Sequence, residues 1–142
     1  MNRFTRMLAE RAWLLADGAT GSNLFEMGLV SSDAPELCNI EHADRIALLH
    51  RRFIDAGADI VLSNSFGGNA YRLKLHKAQS RVGELNEAAT RIACGVADAA
   101  ARGDELGAPT AAGIRDRPRV LRAMNAGTTR GRTQTHDRTF KI

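Results

Sequence analysis

The chain has no apolar run approaching the roughly 18 residues that a membrane-spanning helix requires, which sets aside a membrane location. Its two cysteines, Cys38 and Cys94, lie far apart and outside any C-x-x-C spacing. Neither a disulfide framework nor a local zinc knuckle is indicated, and both read as ordinary thiols. A secretory leader is missing as well: Arg3 and Arg6 precede only a short apolar piece at residues 12–16, with no cleavage pattern after it. The default compartment is therefore the cytoplasm. At 142 residues, one ordinary domain with a real core is the ceiling.

Aromatic residues are scarce where positive charge is concentrated. Residues 1–105 hold 12 Lys and Arg against 14 Asp and Glu, a balance of −2, whereas residues 106–142 hold 8 against 2, a balance of +6. The basic pI of about 9.7 thus belongs to the tail alone. A nucleic-acid groove needs a folded module or aromatics interleaved with the basic residues, and the tail offers only Phe140. No nucleic-acid partner is expected.

What the chain does have is a pair of strand-like segments ending in small polar residues. In residues 57–69, GADIVLSNSFGGN, the run Ile60, Val61 and Leu62 is too short for a helix and suits a parallel strand covered on both faces. Ser63, Asn64 and Ser65 then bring donors and acceptors, and Gly67 and Gly68 allow the backbone to turn and to approach a ligand closely. Residues 13–23, WLLADGATGSN, repeat the pattern, with a strand at 12–17 that ends at Asp17. Asp17 alone reads as a turn-forming aspartate. Beside the backbone N–H groups of residues 18–21, however, its carboxylate suits a zwitterion whose ammonium meets the acid and whose carboxylate meets the amides.

Between and after these segments the apolar residues recur at helical spacing. A helix is predicted over 41–56, with Ile46, Leu49 and Phe53 on its inner face and Gly57 as its stop. His42 and His50 in that helix read as surface or capping residues. A second helix carries Val82, Leu85, Ala89, Ile92, Val96 and Ala99 on one stripe. Shorter helical pieces are expected over 1–11, 22–28 and 71–76. Residues 12–102 therefore read as two consecutive βα units with right-handed crossovers. A third strand should follow, yet residues 103–142 are rich in Arg, Gly, Ala and Thr and offer only a brief helix near Val120 and Leu121. The composition break near Leu106 marks an irregular tail.

Four ordered pieces, LLADGATGSNLFEMGL, PELCN with the helix ending in AGADI, SNSFGGNAYRL and ELNEAATRIA, resemble the N-terminal part of the homocysteine S-methyltransferase domain. In flavour they are nearest the bacterial betaine-homocysteine enzymes. The resemblance implies the first two βα units of a (β/α)8 barrel, a fold of about 250 residues when whole. It also implies homocysteine as methyl acceptor, a donor of which betaine is the leading candidate, and a catalytic zinc in the full-length family. That zinc is held by cysteines late in the family's chain, at positions this sequence does not contain, so no metal is expected here. On the substrate side the resemblance carries over Asp17 with Gly18 at the end of the first strand, and Asn64 with Ser65 at the end of the second. Two accounts follow. One is an N-terminal enzyme fragment, truncated or read out of frame after Leu106 and inactive alone. The other is a small binding protein with a basic tail. In either case the exposed edges of so small a parallel sheet invite self-association.

Overall fold

The computed structural model describes residues 3–103 and the backbone of residues 121–123. Helix α1 (Arg3–Glu10) leads to an extended segment, followed by α2 (Thr20–Glu26), a 3-10 turn over Pro35–Leu37, the short α3 (Cys38–Glu41) and α4 (Ala43–Ala56). Strand β1 (Ile60–Leu62) comes next. After it the chain makes α5 (Ala70–Leu73), two further 3-10 turns, the long α6 (Val82–Arg102) and β2 (Leu121–Ala123). Among the described residues no helix is long and apolar enough to cross a membrane.

The sheet is parallel. β1 pairs with β2 in the register Ile60 with Leu121, Val61 with Arg122 and Leu62 with Ala123. On its other side β1 meets the segment predicted as the first strand, which makes a single parallel bridge, Ala16 with Ile60, rather than a full strand. Its backbone bonds explain why it stops there: the Ile60 N–H donates to the Leu15 carbonyl at 3.1 Å and the Asp17 N–H donates to the Ile60 carbonyl at 2.9 Å. The Leu62 N–H then donates to Asp17 Oδ2 at 2.9 Å, so a side chain takes the ladder's next bond. Spatial order therefore follows chain order across the three parallel segments. The strand at 121–123 corrects the expectation of a brief helix there: the tail supplies backbone to the sheet, and the rest of 103–142 lies outside the described residues after Gly103.

The two long helices cover one face of β1. Ile54 of α4 with Val96 and Ala97 of α6 close over Val61, which is fully buried. Alanines Ala88, Ala89, Ala93, Ala97 and Ala99 are all buried on α6, and their small side chains let that helix lie close against its neighbours. Among the described residues the other face is less covered: Ile60 and Leu62 are only half-buried, where the sequence predicts a strand enclosed on both sides. Helix α4 ends in a Schellman cap, with the Ala58 N–H donating to the Phe53 carbonyl and the Gly57 N–H to that of Ile54, and Gly57 holding φ at +114°. This tight stop turns the chain straight into β1.

One prediction on α4 is overturned. His50 is in the core, 2% exposed, because position 50 lies one turn after Ile46 and beside Leu49 on the inward stripe. His42 does sit at the surface, at the N-terminal boundary of α4.

Candidate functional site

A cavity of about 390 Å³ opens where the first segment and β1 end. Asp17, Gly18 and Asn64 of the predicted site residues line it, together with Glu36, Phe66 and Arg72. Ser65 does not: it is buried, and its hydroxyl pairs with that of Ser63 at 2.8 Å. Its neighbour Ser63, not singled out for binding, is on the cavity wall.

Asp17 is held by the sheet. Its Oδ2 accepts the Leu62 N–H, whereas Oδ1 is buried with no hydrogen-bond partner. Burial pushes its carboxyl above the ordinary 3.8, and the N–H groups of Leu62 and of Asp17 itself pull in the opposite direction. A buried carboxylate oxygen without a donor is costly. A cationic ligand group placed there would offset that cost and bring the pKa back down.

Asn64 is largely committed to the scaffold. Its Nδ2 donates to the Pro35 carbonyl at 2.8 Å and to Asn39 Oδ1 at 2.9 Å. Asn39 returns the contact by donating to the Asn64 carbonyl at 2.9 Å, and also reaches the Leu85 carbonyl at 3.2 Å. This buried asparagine pair ties the end of β1 to α3 and α6. Part of what reads in the sequence as substrate contact at Asn64 is thus loop fastening.

Gly67 and Gly68 also serve the protein more directly than any ligand. Glu36, 6% exposed, accepts the Gly67 N–H through Oε1 at 2.6 Å, and a Cβ on Gly67 would stand 2.6 Å from that same oxygen. A Cβ on Gly68 would collide with Asn86 Oδ1, whose carboxamide donates to the Gly68 carbonyl through Nδ2 at 2.7 Å. Close approach does require both glycines, but the approaching groups are Glu36 and Asn86.

Glu36 and Arg72 are the lining residues that sequence reasoning passed over. Glu36 follows a proline in a loop, where an acid ordinarily faces water. Arg72 lies in a basic connector that reads as solvated, and only the cap that fixes it, Asn69 Oδ1 accepting the Arg72 N–H at 3.0 Å, distinguishes it.

Among the described residues no group of three or more His, Cys, Asp or Glu could hold a metal ion. Cys38 is buried in an apolar cluster with Leu24, Ile46 and Leu49, and that burial pushes its thiol up, away from the thiolate a metal requires. The described residues do not fit a zinc site.

Comparison with known proteins agrees with the arrangement of these pieces. The chain is 34% identical over 129 residues to a methionine synthase of Mycobacterium tuberculosis (strain ATCC 25618 / H37Rv), a match covering 86% of this chain and 10% of that protein. It is also 34% identical over 97 residues to a methionine synthase of Mycobacterium leprae (strain TN), covering 64% of this chain and 8% of that one. The chain thus spans about a tenth of the length of these relatives. The family model described as homocysteine S-methyltransferase matches residues 14–132, from the segment bearing Asp17, across the composition break near Leu106, to beyond β2. With a match over most of its length and its acid, asparagine and glycines gathered at one sheet end, the chain belongs to the homocysteine S-methyltransferase family.

Proposed function

We propose that this chain is the homocysteine-binding part of a homocysteine S-methyltransferase, and that alone it binds the amino acid without methylating it. The observation that carries the reading is Asp17: one carboxylate oxygen is fixed by the Leu62 N–H, the other is buried without a partner, and the residue lines a cavity with ample room for an amino acid. An α-ammonium group supplies the missing donor with full charge assistance. Gly18 keeps the wall beside Asp17 thin, and Asn64 and Ser65 hold the end of β1 in register with it.

The fold we propose is the opening of a (β/α)8 barrel, in which consecutive parallel strands neighbour one another and helices form the outer layer. The order of the Ala16 segment, β1 and β2, with α4 and α6 on one face, supports it. So does the half-exposed other face of β1, which in a closed barrel would be packed inside. The open edges and the exposed Trp13 and Leu15 favour self-association of the isolated chain, in the cytoplasm.

Catalysis is assigned to parts other than the described residues, which do not fit the zinc that would activate the thiol. Betaine is the first donor to test and a methylated corrinoid the second, since the name methionine synthase borne by the relatives fixes the product and not the donor. The interaction-protein alternative loses its footing, because the family match runs through residue 132 and so includes most of the basic tail. Calorimetry with homocysteine, metal analysis and methionine assay on one preparation test the proposal. Binding that is weakened by Asp17→Asn, with no methionine formed from either donor, is the expected result. Methionine production lost on chelation would overturn the assignment of catalysis elsewhere.

A further inference from the structure

The cavity's polar groups can be sorted by which of their hydrogen-bonding atoms the fold has already used. Asn64 spends both N–H bonds on Pro35 and Asn39, the Ser63 hydroxyl is paired with Ser65, and Glu36 is taken by the Gly67 N–H. Asp17 Oδ1 stays buried without a partner, Glu36 Oε2 is not used by that bond, and among the described lining residues Arg72 is the permanent cation able to meet an anionic ligand group. Arg72 is exposed, lines the cavity and makes no ion pair among the described residues, whereas Arg11, Arg51, Arg81 and Arg91 each do. Its guanidinium lies 5.6 Å from the centroid of the Phe66 ring, which also lines the cavity and is 71% exposed. The backbone of Arg72 is pinned at the first turn of α5 by the Asn69 cap, which fixes the point from which this side chain extends.

We propose that Arg72 binds the α-carboxylate of the amino acid whose ammonium group meets Asp17, in place of the backbone amides of residues 18–21 that the sequence suggests for that role. The inference rests on the functional reading above and adds the residue that makes the site selective for an α-amino acid over a simple amine. A guanidinium offers two parallel N–H donors in a plane that matches a carboxylate, stays charged at any physiological pH, and stacks on an aromatic face. Phe66 provides that face, orients the fork and leaves its edge for the ligand. His76, on the same wall, lacks both the fork and the permanent charge.

The test compares two thiols on the full chain by calorimetry: homocysteine, and 3-aminopropanethiol, which is homocysteine without its carboxylate. Arg72→Met is expected to weaken homocysteine binding about tenfold or more while leaving 3-aminopropanethiol unchanged. Arg72→Lys should recover part of the loss, because a point charge replaces the fork. Asp17→Asn should weaken both ligands. Should Arg72→Met fail to fold by circular dichroism, the wild-type chain still decides, since equal affinities for the two thiols overturn the inference. An Arg72→Met variant that weakens both thiols equally, or neither, also overturns it. A wild-type chain that binds neither thiol overturns the functional reading and the role of Arg72 together, whereas binding of homocysteine that ignores Arg72 removes only the latter.

Discussion

Lowering the pH should destabilise this protein through one residue, His50. The imidazole is 2% exposed on the inward face of α4, and neither ring nitrogen has a hydrogen-bond partner. Burial lowers its pKa from 6.5 to about 4, and burial is the sole cause. The native state therefore holds His50 neutral, while the unfolded chain takes up a proton at 6.5. Stability is full above pH 6.5, falls as pH drops through that value, and stops falling below about pH 4. At 1.36 kcal/mol per pKa unit the gap corresponds to roughly 3 kcal/mol in total, of which about 2 kcal/mol is gone by pH 5. Urea denaturation at pH 7.5 and pH 5 reads this as a drop in midpoint of roughly 1 M. The comparison with His50→Leu isolates the histidine, because every other titratable group is the same in both chains. That variant fills the site without unpartnered nitrogens and should lose little stability over the same range. If it loses as much as the wild-type chain between pH 7.5 and 5, the reasoning about His50 is wrong.

Two substitutions probe the framework around the cavity. Asn39→Asp removes both N–H donors from the carbonyls of Asn64 and Leu85 and places a carboxylate among buried groups, so it should cost about 3 kcal/mol or more in chemical denaturation, and a cost below about 1 kcal/mol would mean the asparagine pair is unimportant. Gly68→Ala must displace the Asn86 carboxamide from the Gly68 carbonyl and should cost roughly 1–3 kcal/mol. An unchanged melting temperature for Gly68→Ala would show that the loop relaxes freely.

Helix α4, helix α6 and strand β1 were legible because each has a periodic apolar pattern and a clear stop, Gly57 and Gly103 being left-handed caps. The first strand was legible only in part. Asp17 ends it early by using its side chain where the ladder would use a carbonyl, and no sequence pattern separates that role from ligand binding. The strand at 121–123 was hidden because three residues in an arginine-rich context show no alternation, and their pairing depends on an edge of β1 far away in the chain. Asp17, Gly18 and Asn64 line one cavity, as expected of residues at neighbouring strand ends, which collect at one side of a parallel sheet. Ser65 lies beyond the end of β1, outside the cavity lining, with its hydroxyl paired to that of Ser63, a contact that no sequence pattern announces. Glu36 and Arg72 come from connectors, where only the folded chain shows which charges turn inward. His50 could have been found, because the helical period that picks out Ile46 and Leu49 puts position 50 on the same stripe.

Binding of homocysteine at Asp17 is the central claim, and amide chemical shifts measured on the labelled chain during a homocysteine titration test it most directly. The Leu62 N–H donates to the Asp17 carboxylate, and the Gly67 N–H lies on the cavity wall against Glu36. The account predicts that the Leu62 and Gly67 signals shift saturably, that those of α6 away from the cavity stay in place, and that Asp17→Asn moves the response to higher homocysteine concentration. Saturable shifts confined to other parts of the chain, or a Leu62 signal that does not move at saturating homocysteine, would contradict it.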